Sequence, residues 1–239
     1  MLDLCRFSTN ESEDPISLSQ YLEKMPDTQK EIYYISAETS AQALASPHLE
    51  GFKSKNIPVL IMTDAIDQFW LPMVGSFKEK KFTSITQGKI NLDELDSKNK
   101  DKKSNDDKDK QDKEYVDLIA QLKVVLGDQV KDIRLSSKLT DSPVCLVADE
   151  GDMDIAMEQL MAQRDSNYKG APRILEINGD HSLIKNMKSL LSKKESNDLV
   201  SDAGTLLFEK ARLMEGKMPA DPAQFSKIMN QFLLKAIPN

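Results

Sequence analysis

The sequence predicts an α/β unit, a charged linker, and then an α+β unit that ends in paired amphipathic helices. Three observations lead there. Apolar strand-like runs alternate with helix-forming segments on both sides of a stretch, Ser97 to Lys113, that holds no apolar residue. That stretch carries seven Lys against five Asp. The last third closes in two apolar stripes at helical spacing, divided by the turn E-G-K-M-P-A-D-P.

The first unit is expected over residues 1–96. Ile16 to Met25 reads as a short helix, with Ser17 or Ser19 near its start and Pro26 just beyond it. K-E-I-Y-Y-I-S (30–36) has the β-branched and aromatic density of a strand. Residues 39–55 are mostly helix-forming. I-P-V-L-I-M-T (57–63) is a continuous apolar run, as in a strand covered on both faces. Asp64 is read as the N-cap of a helix reaching Met73, with Pro72 ending or kinking it. F-T-S-I-T (82–86) adds a further strand. Such alternation predicts a parallel sheet with right-handed crossovers.

Residues 97–113 cannot bury enough surface to offset their ordering entropy, so the expectation is a flexible or loosely helical linker. The interleaved Asp would cancel most of the field of a Lys tail. In the second unit, 114–239, Tyr115, Leu118, Ile119, Leu122, Val125 and Leu126 form a helical stripe closed by Gly127. Strands follow at 130–136, 143–148 and 173–178, with an amphipathic helix at 151–164 and another from His181 to Leu191. In the first closing helix Leu199, Ala203, Leu206, Leu207, Lys210 and Met214 share a face. In the second, Phe225, Ile228, Met229, Phe232, Leu233 and Ala236 do so. Gly216 past one helix and Asp221-Pro222 before the next supply the punctuation. Those stripes must be covered, and a second copy of the chain would complete a four-helix bundle.

Thirty per cent of residues are charged and the net charge is -7, which argues against wrapping nucleic acid. No apolar run approaches the roughly 18 residues of a membrane span. The first residues lack the basic start and apolar core of a signal peptide, so a cytosolic location is expected. Cys5 and Cys145 match no metal or redox spacing, and the two histidines, His48 and His181, stand in unrelated segments. Phosphate-loop, dinucleotide, nucleophile-elbow and zinc-protease patterns are absent from the sequence. No metal and no cofactor is therefore expected. Asp64 with His48 as acid-base groups of a metal-independent hydrolase or transferase is the competing enzyme reading, and a purely structural dimerisation adaptor is another. Two apolar patches stand out: Phe69, Trp70 and Met73 on one short helix, and Met153, Met157, Leu160 and Met161 at i, i+4, i+7 and i+8. Methionine faces adapt to many shapes, yet they also pack cores, and the residues alone leave both open.

Six strings recur in one order: L-C-R-F-S-T (4–9), I-Y-Y-I-S (32–36), S-P-H-L-E (46–50), V-L-I-M-T-D-A-I-D (59–67), V-K-D-I-R-L-S-S-K-L-T-D-S-P (130–143) and N-G-D-H-S-L-I (178–184). Together they resemble the 90-kDa heat-shock chaperones, most closely the bacterial HtpG type. The resemblance implies the end of a middle domain over 1–96 and a dimerisation domain over 114–239. It implies a stress-response chaperone that binds unfolded clients and pairs with itself. The family's use of ATP and Mg is implied to lie upstream of these blocks, so this chain is expected to have no ATPase activity. Phe69 stands where the family's client-touching aromatic stands, with Trp70 beside it. Met153, Met157, Leu160 and Met161 align with the client-facing helix, although the last is commonly aromatic in relatives. Gly179 replaces the usual proline. The ending A-I-P-N lacks the acidic peptide that recruits tetratricopeptide co-chaperones, so those partners are not expected.

Overall fold

The computed structural model describes residues 2–88, 90–95, 105–165, 168, 170–191 and 197–237. In chain order the elements are β1 (Ser8–Thr9), α1 (Leu18–Lys24), β2 (Ile32–Ser36), α2 (Ser40–Leu44), α3 (Glu50–Ser54), β3 (Leu60–Met62), α4 (Asp67–Val74), β4 (Ser76–Phe77) and β5 (Lys80–Ser84). Then come α5 (Asn105–Leu126), β6 (Val130–Leu135), β7 (Val144–Val147), α6 (Ile155–Arg164), β8 (Arg173–Ile177), α7 (Ser182–Leu191), α8 (Asn197–Met214) and α9 (Pro222–Ala236). They gather into two compact units. One holds Met1–Lys103, Ser137–Asp141 and Val147–Ala171; the other holds Ser104–Ser136, Ser142–Leu146 and Pro172–Asn239.

The first unit is built on a five-stranded sheet in the order β1-β3-β2-β5-β4. β2 runs parallel to β3 and to β5, as the alternation of strand and helix predicts. The edge strands β1 and β4 are antiparallel to their neighbours, so the sheet is mixed. β4 and β5 form a hairpin through Lys78 and Glu79, both at positive φ (45° and 66°). That is the twist of a two-residue type I′ turn, made here without the usual Asn-Gly.

Side chains of β3 and its approach alternate between two cores. Leu60 and Met62 join Leu18, Tyr21, Ile32 and Leu71, while Ile61, with Val59 just before the strand, joins Tyr33, Ile35, Phe52 and Ile85. The helical expectation for 39–55 resolves into α2, a 3-10 turn at Pro47–Leu49, and α3. Pro47 has no N–H to continue α2, and Ser46 caps the new turn through the His48 N–H. At α1, Ser17 and Gln20 complete a capping box.

Residues 147–171, expected with the carboxyl-terminal domain, are compact with the first unit. Polar ties explain this. Asp154 accepts from Ser84 Oγ at 2.5 Å and Thr86 Oγ1 at 2.8 Å, and Gln87 Nε2 donates to the Asp152 carbonyl. Ser137–Asp141 joins the same unit: the buried Lys138 donates from Nζ to the Ile85 carbonyl, and Glu50 accepts from the Thr140 and Asp141 N–H groups.

The second unit has a three-stranded sheet, β6-β8-β7, in which β6 and β8 are parallel. Tyr115, Leu118 and Leu122 of α5 pack with Leu175, Met187, Val200 and Phe208 in one core. α5 begins at Asn105, inside the segment expected to be a linker, whereas residues 97–104 lie outside the described residues. Once the packed half of α5 is nucleated, each added residue costs little and gains a hydrogen bond, so the helix extends into the Lys/Asp run. The buried Glu176 carboxylate takes two Arg134 donors at 2.8 and 3.1 Å and Ser136 Oγ at 2.8 Å, which satisfies its charge inside the sheet layer.

Two glycines report on packing. A Cβ at Gly51 would lie 2.5 Å from the Lys138 carbonyl oxygen and 2.6 Å from Leu92 Cδ1. At Gly204 it would meet only the end of the Leu122 side chain. Gly51→Ala is therefore expected to cost about 1–3 kcal/mol in denaturant unfolding. Gly204→Ala should come out near neutral, because Leu122 can rotate and Ala gains ~1 kcal/mol of helix propensity. Equal losses would contradict this packing.

Candidate functional site

The carboxyl ends of the parallel strands β2 and β3 open toward one place, as the ends of parallel strands in open α/β sheets commonly do. Ser36 ends β2, and Met62 leads into the loop Thr63–Ile66 before α4. Asp67, not Asp64, organises that loop. Its Oδ2 accepts from the Asp64 N–H at 3.3 Å and its Oδ1 from Trp70 Nε1 at 2.7 Å, while its own N–H returns to the Asp64 carbonyl. The N-cap position is Ile66, which has no side chain able to cap, so the sequence reading of Asp64 as the cap is corrected. Burial pushes the Asp67 carboxyl above the usual 3.8, with the Trp70 and Asp64 donors pulling the other way.

Trp70 turns inward, its ring 5.7 Å from Phe82 and 6.1 Å from Phe7, centre to centre. Phe69 and Met73 turn outward, and Met73 is 86% exposed. Ile66 and Val74 are exposed beside them and were not singled out from sequence. Pro72 lies within α4 rather than ending it. On α6, Met157, Leu160 and Met161 are half-buried. Met153 is exposed but precedes the helix, whose N-cap is Asp154, so it does not belong to the helical stripe.

Leu160, Ala156 and Gln159 of α6 share a cavity of about 290 Å³ with Ser36, Met62, Asp64, Ala65 and Gln68. Leu160 is the one residue among those expected to touch clients that lines it; Phe69, Trp70 and Met73 do not. Sequence reasoning missed Gln68 and Ser36. The available signal at Gln68 was weak: in α4 the polar Asp67 and Gln68 are buried while the apolar Phe69 and Met73 are exposed, which inverts the ordinary amphipathic pattern. His48 is buried in its 3-10 turn and Asp64 is exposed, and among the described residues no hydrogen bond joins them.

At the other end of the chain, Ala203, Leu207 and Ile228, read as dimer contacts, are buried by the chain itself. Leu199, Leu206, Phe225 and Phe232 are half-buried, and Phe232 packs against the core of its own unit. Met229 (40% exposed) and Leu233 (50%) remain open, joined by Leu234 (75%) and Ile237 (73%), which the sequence reading left out. Asp221 caps α9 through the Gln224 N–H, and Gly216 takes φ 76° past α8, both as expected. Among the described residues no helix is long and apolar enough to cross a membrane.

This geometry is that of an exposed apolar patch carried on an α/β unit, and of a helical end with uncovered apolar side chains. The chain belongs to the Hsp90 protein family, whose model matches residues 1–238. It is 40% identical over 239 residues to the chaperone protein HtpG of Roseobacter denitrificans, covering 99% of this chain and 38% of that protein. Against the chaperone protein HtpG of Streptomyces coelicolor the identity is 36% over 230 residues, with 96% and 35% covered. That of Wolbachia pipientis is 36% identical over 236 residues, with 98% and 37% covered. The chain thus spans little more than a third of the length of these relatives.

Trp70 is the only tryptophan, so its emission reports directly on Asp67. The folded state holds the Asp67 proton more tightly than the unfolded chain does. Asp67 therefore costs stability above its folded pKa, and that cost is relieved as pH falls through it. The Trp emission is expected to titrate with a midpoint above 3.8, the ordinary value, and the step should vanish in Asp67→Asn. A midpoint at or below the ordinary value would contradict the buried carboxyl.

Proposed function

We propose that the chain is the client-holding and self-pairing part of an HtpG-type chaperone, working in the cytosol. On this reading residues 1–96 are the end of the middle domain and 114–239 the dimerisation domain. Turnover of ATP needs chain outside the family blocks matched here, so these residues alone have no ATPase activity. The observation that carries the reading is the outward display of Ile66, Phe69 and Met73 on a helix anchored from behind by Trp70. Apolar side chains fixed in water recognise apolar area in an unfolded polypeptide rather than one shape. Met157, Leu160 and Met161 on α6, with Met153 just before its N-cap, are proposed to extend that surface.

Pairing is supported by magnitude. Met229, Leu233, Leu234 and Ile237 are each worth ~1.5–3 kcal/mol if fully buried, and a two-fold interface uses every one of them twice. Because these side chains are 40–75% exposed in the single chain, only about 60% of that value is still to be gained, and the gross gain of ~7–14 kcal/mol exceeds the lower estimates of association cost, about 4–15 kcal/mol. α8 and α9 from two copies would then form the four-helix bundle, and two client surfaces held in one particle raise the effective concentration for a second grip.

Two outcomes are expected. Leu233→Asp with Ile237→Asp should shift the chain to monomer in sedimentation velocity while circular dichroism stays unchanged; a persisting dimer would contradict the interface. Phe69→Ala with Met73→Ala should weaken binding of a carboxymethylated unfolded protein by ~10-fold, about 1.4 kcal/mol, without altering oligomeric state. Unchanged affinity would remove the client surface from α4.

A further inference from the structure

We infer that α6 is a movable strap: it hinges at Gly151, is latched to the end of β5 by the Asp154 carboxylate, and opens as a unit while the sheet stays folded. The inference does not depend on what the chain binds. Three observations point to it. The first is how little apolar packing holds the helix. Ile155 is its buried apolar residue, and among the described residues no side chain of 151–164 belongs to either apolar core of its unit. The second is the space under it. Ala156, Leu160 and Gln163, one face of α6, line a cavity of about 290 Å³ whose other wall includes Ser36 and Met62, where a permanent layer would be close-packed.

The third is the latch. Asp154 Oδ2 accepts from Ser84 Oγ at 2.5 Å and Thr86 Oγ1 at 2.8 Å, while Oδ1 accepts from the Ala156 N–H at 2.9 Å and so caps the helix. Fastening and capping fall on different oxygens, so release from β5 leaves the cap in place. The chain before the latch is fixed: the Ala148 N–H donates to the Thr86 carbonyl at 2.9 Å, and the Gly88 N–H to the Ala148 carbonyl at 2.8 Å. Gly151 lies between that anchor and Asp154, at φ 90° with open space where a Cβ would stand, so the chain turns there at low cost. Gln87 Nε2 adds a bond to the Asp152 carbonyl. At the far side Glu158 Oε1 accepts from the Ala171 N–H at 2.7 Å, a bond to the chain that follows α6 rather than to the sheet. When the strap opens, Ser84 and Thr86 keep the 2.8 Å bond they make to each other, and Asp154 goes to water. Polar bonds of this kind are lost over a small displacement, whereas β3, buried on both faces, cannot part from the sheet without unfolding it.

The test is native-state hydrogen exchange of the full chain, read residue by residue by NMR in urea well below the unfolding midpoint. Once free of the sheet, a helix of 10 residues is marginal in water, so its amides then exchange. In the wild type, α6 amides are expected to exchange at least ~10-fold faster than those of β2 and β3, with a weaker urea dependence because the opening exposes less surface. Asp154→Ser keeps a capping hydroxyl but is too short to reach Ser84 and Thr86. It should speed α6 a further ~10-fold, about 1.4 kcal/mol in the opening equilibrium, and leave β2, β3, Gly88 and Ala148 unchanged. Thr86→Val, which removes one donor at nearly the same shape, should speed α6 about threefold alone and not at all when added to Asp154→Ser. That lack of additivity is one that general loosening would not produce. Wild-type α6 amides matching β2 and β3 in rate and urea dependence would overturn the strap. Acceleration of Ala148 together with α6 would overturn the hinge. No acceleration in Asp154→Ser, equal acceleration of the sheet, or additive effects of the two substitutions would overturn the latch.

Discussion

The burial of β3 on both faces is the constraint on which the first unit depends. Leu60 and Met62 commit to one core and Val59 and Ile61 to the other, so a shift of one residue would exchange every contact at once. With the register held, β2 and β3 end side by side, pairing Ser36 with Met62. That places Ser36 and the loop from Thr63 at one edge, where backbone no longer paired in the sheet is free to shape a cavity. The strand thus sets the position of the site without contributing its chemistry. Its polar lining comes from Ser36, the loop, Gln68 of α4, and α6, which Asp154 fastens through Ser84 and Thr86.

What was legible in the sequence follows from the range of the forces involved. β2, β3, β6, β7 and β8 lie within the runs read as strands, because apolar density and side-chain alternation are local properties. Asp221 and Gly216 were readable for the same reason: a cap needs only its own turn. The β4–β5 hairpin was invisible because Lys78 and Glu79 accept positive φ without the residues that usually advertise it. The start of α5 at Asn105 was not fixed by a reading of 97–113 as flexible or loosely helical, because composition describes a segment in isolation and Asn105–Lys113 is continuous with a helix stabilised further along. The affiliation of 147–171 was hidden too, since Ser84, Thr86 and Asp154 stand about seventy residues apart in sequence and their bonds have no local signature.

The candidate site was half legible. Apolar residues grouped on a short helix drew notice to Phe69 and Met73, which are exposed, but periodicity could not say which aromatic faced out. Trp70 is the larger and was grouped with them. It is turned inward because its indole N–H has a partner in Asp67 and its ring has Phe7 and Phe82. At the carboxyl end the stripes contained the right residue types, yet Ala203, Leu207 and Ile228 are already used within the chain. A helical stripe shows that a face must be covered; it does not divide that face between a chain's own core and a partner.

Anchoring and adaptability are separated on α4 in a way that suits weak, shape-tolerant binding. A rigid aromatic held by an indole hydrogen bond loses little freedom when something docks nearby, because that entropy was lost on folding. Met73, almost fully exposed, keeps its rotamers until contact and can then fill whatever gap is offered. Were both faces flexible, the helix itself would have to be ordered on binding. Were both rigid, only one apolar contour would fit. Placing the fixed ring behind and the adjustable side chains in front keeps the ordering cost low while leaving the contact surface able to conform. Pro72 fits the same division, since it gives the Gln68 carbonyl no N–H and so leaves α4 one helical bond short beside its exposed face. The helix tolerates that loss because Asp67 and Trp70 hold its first turn by side-chain bonds that do not pass through the missing one.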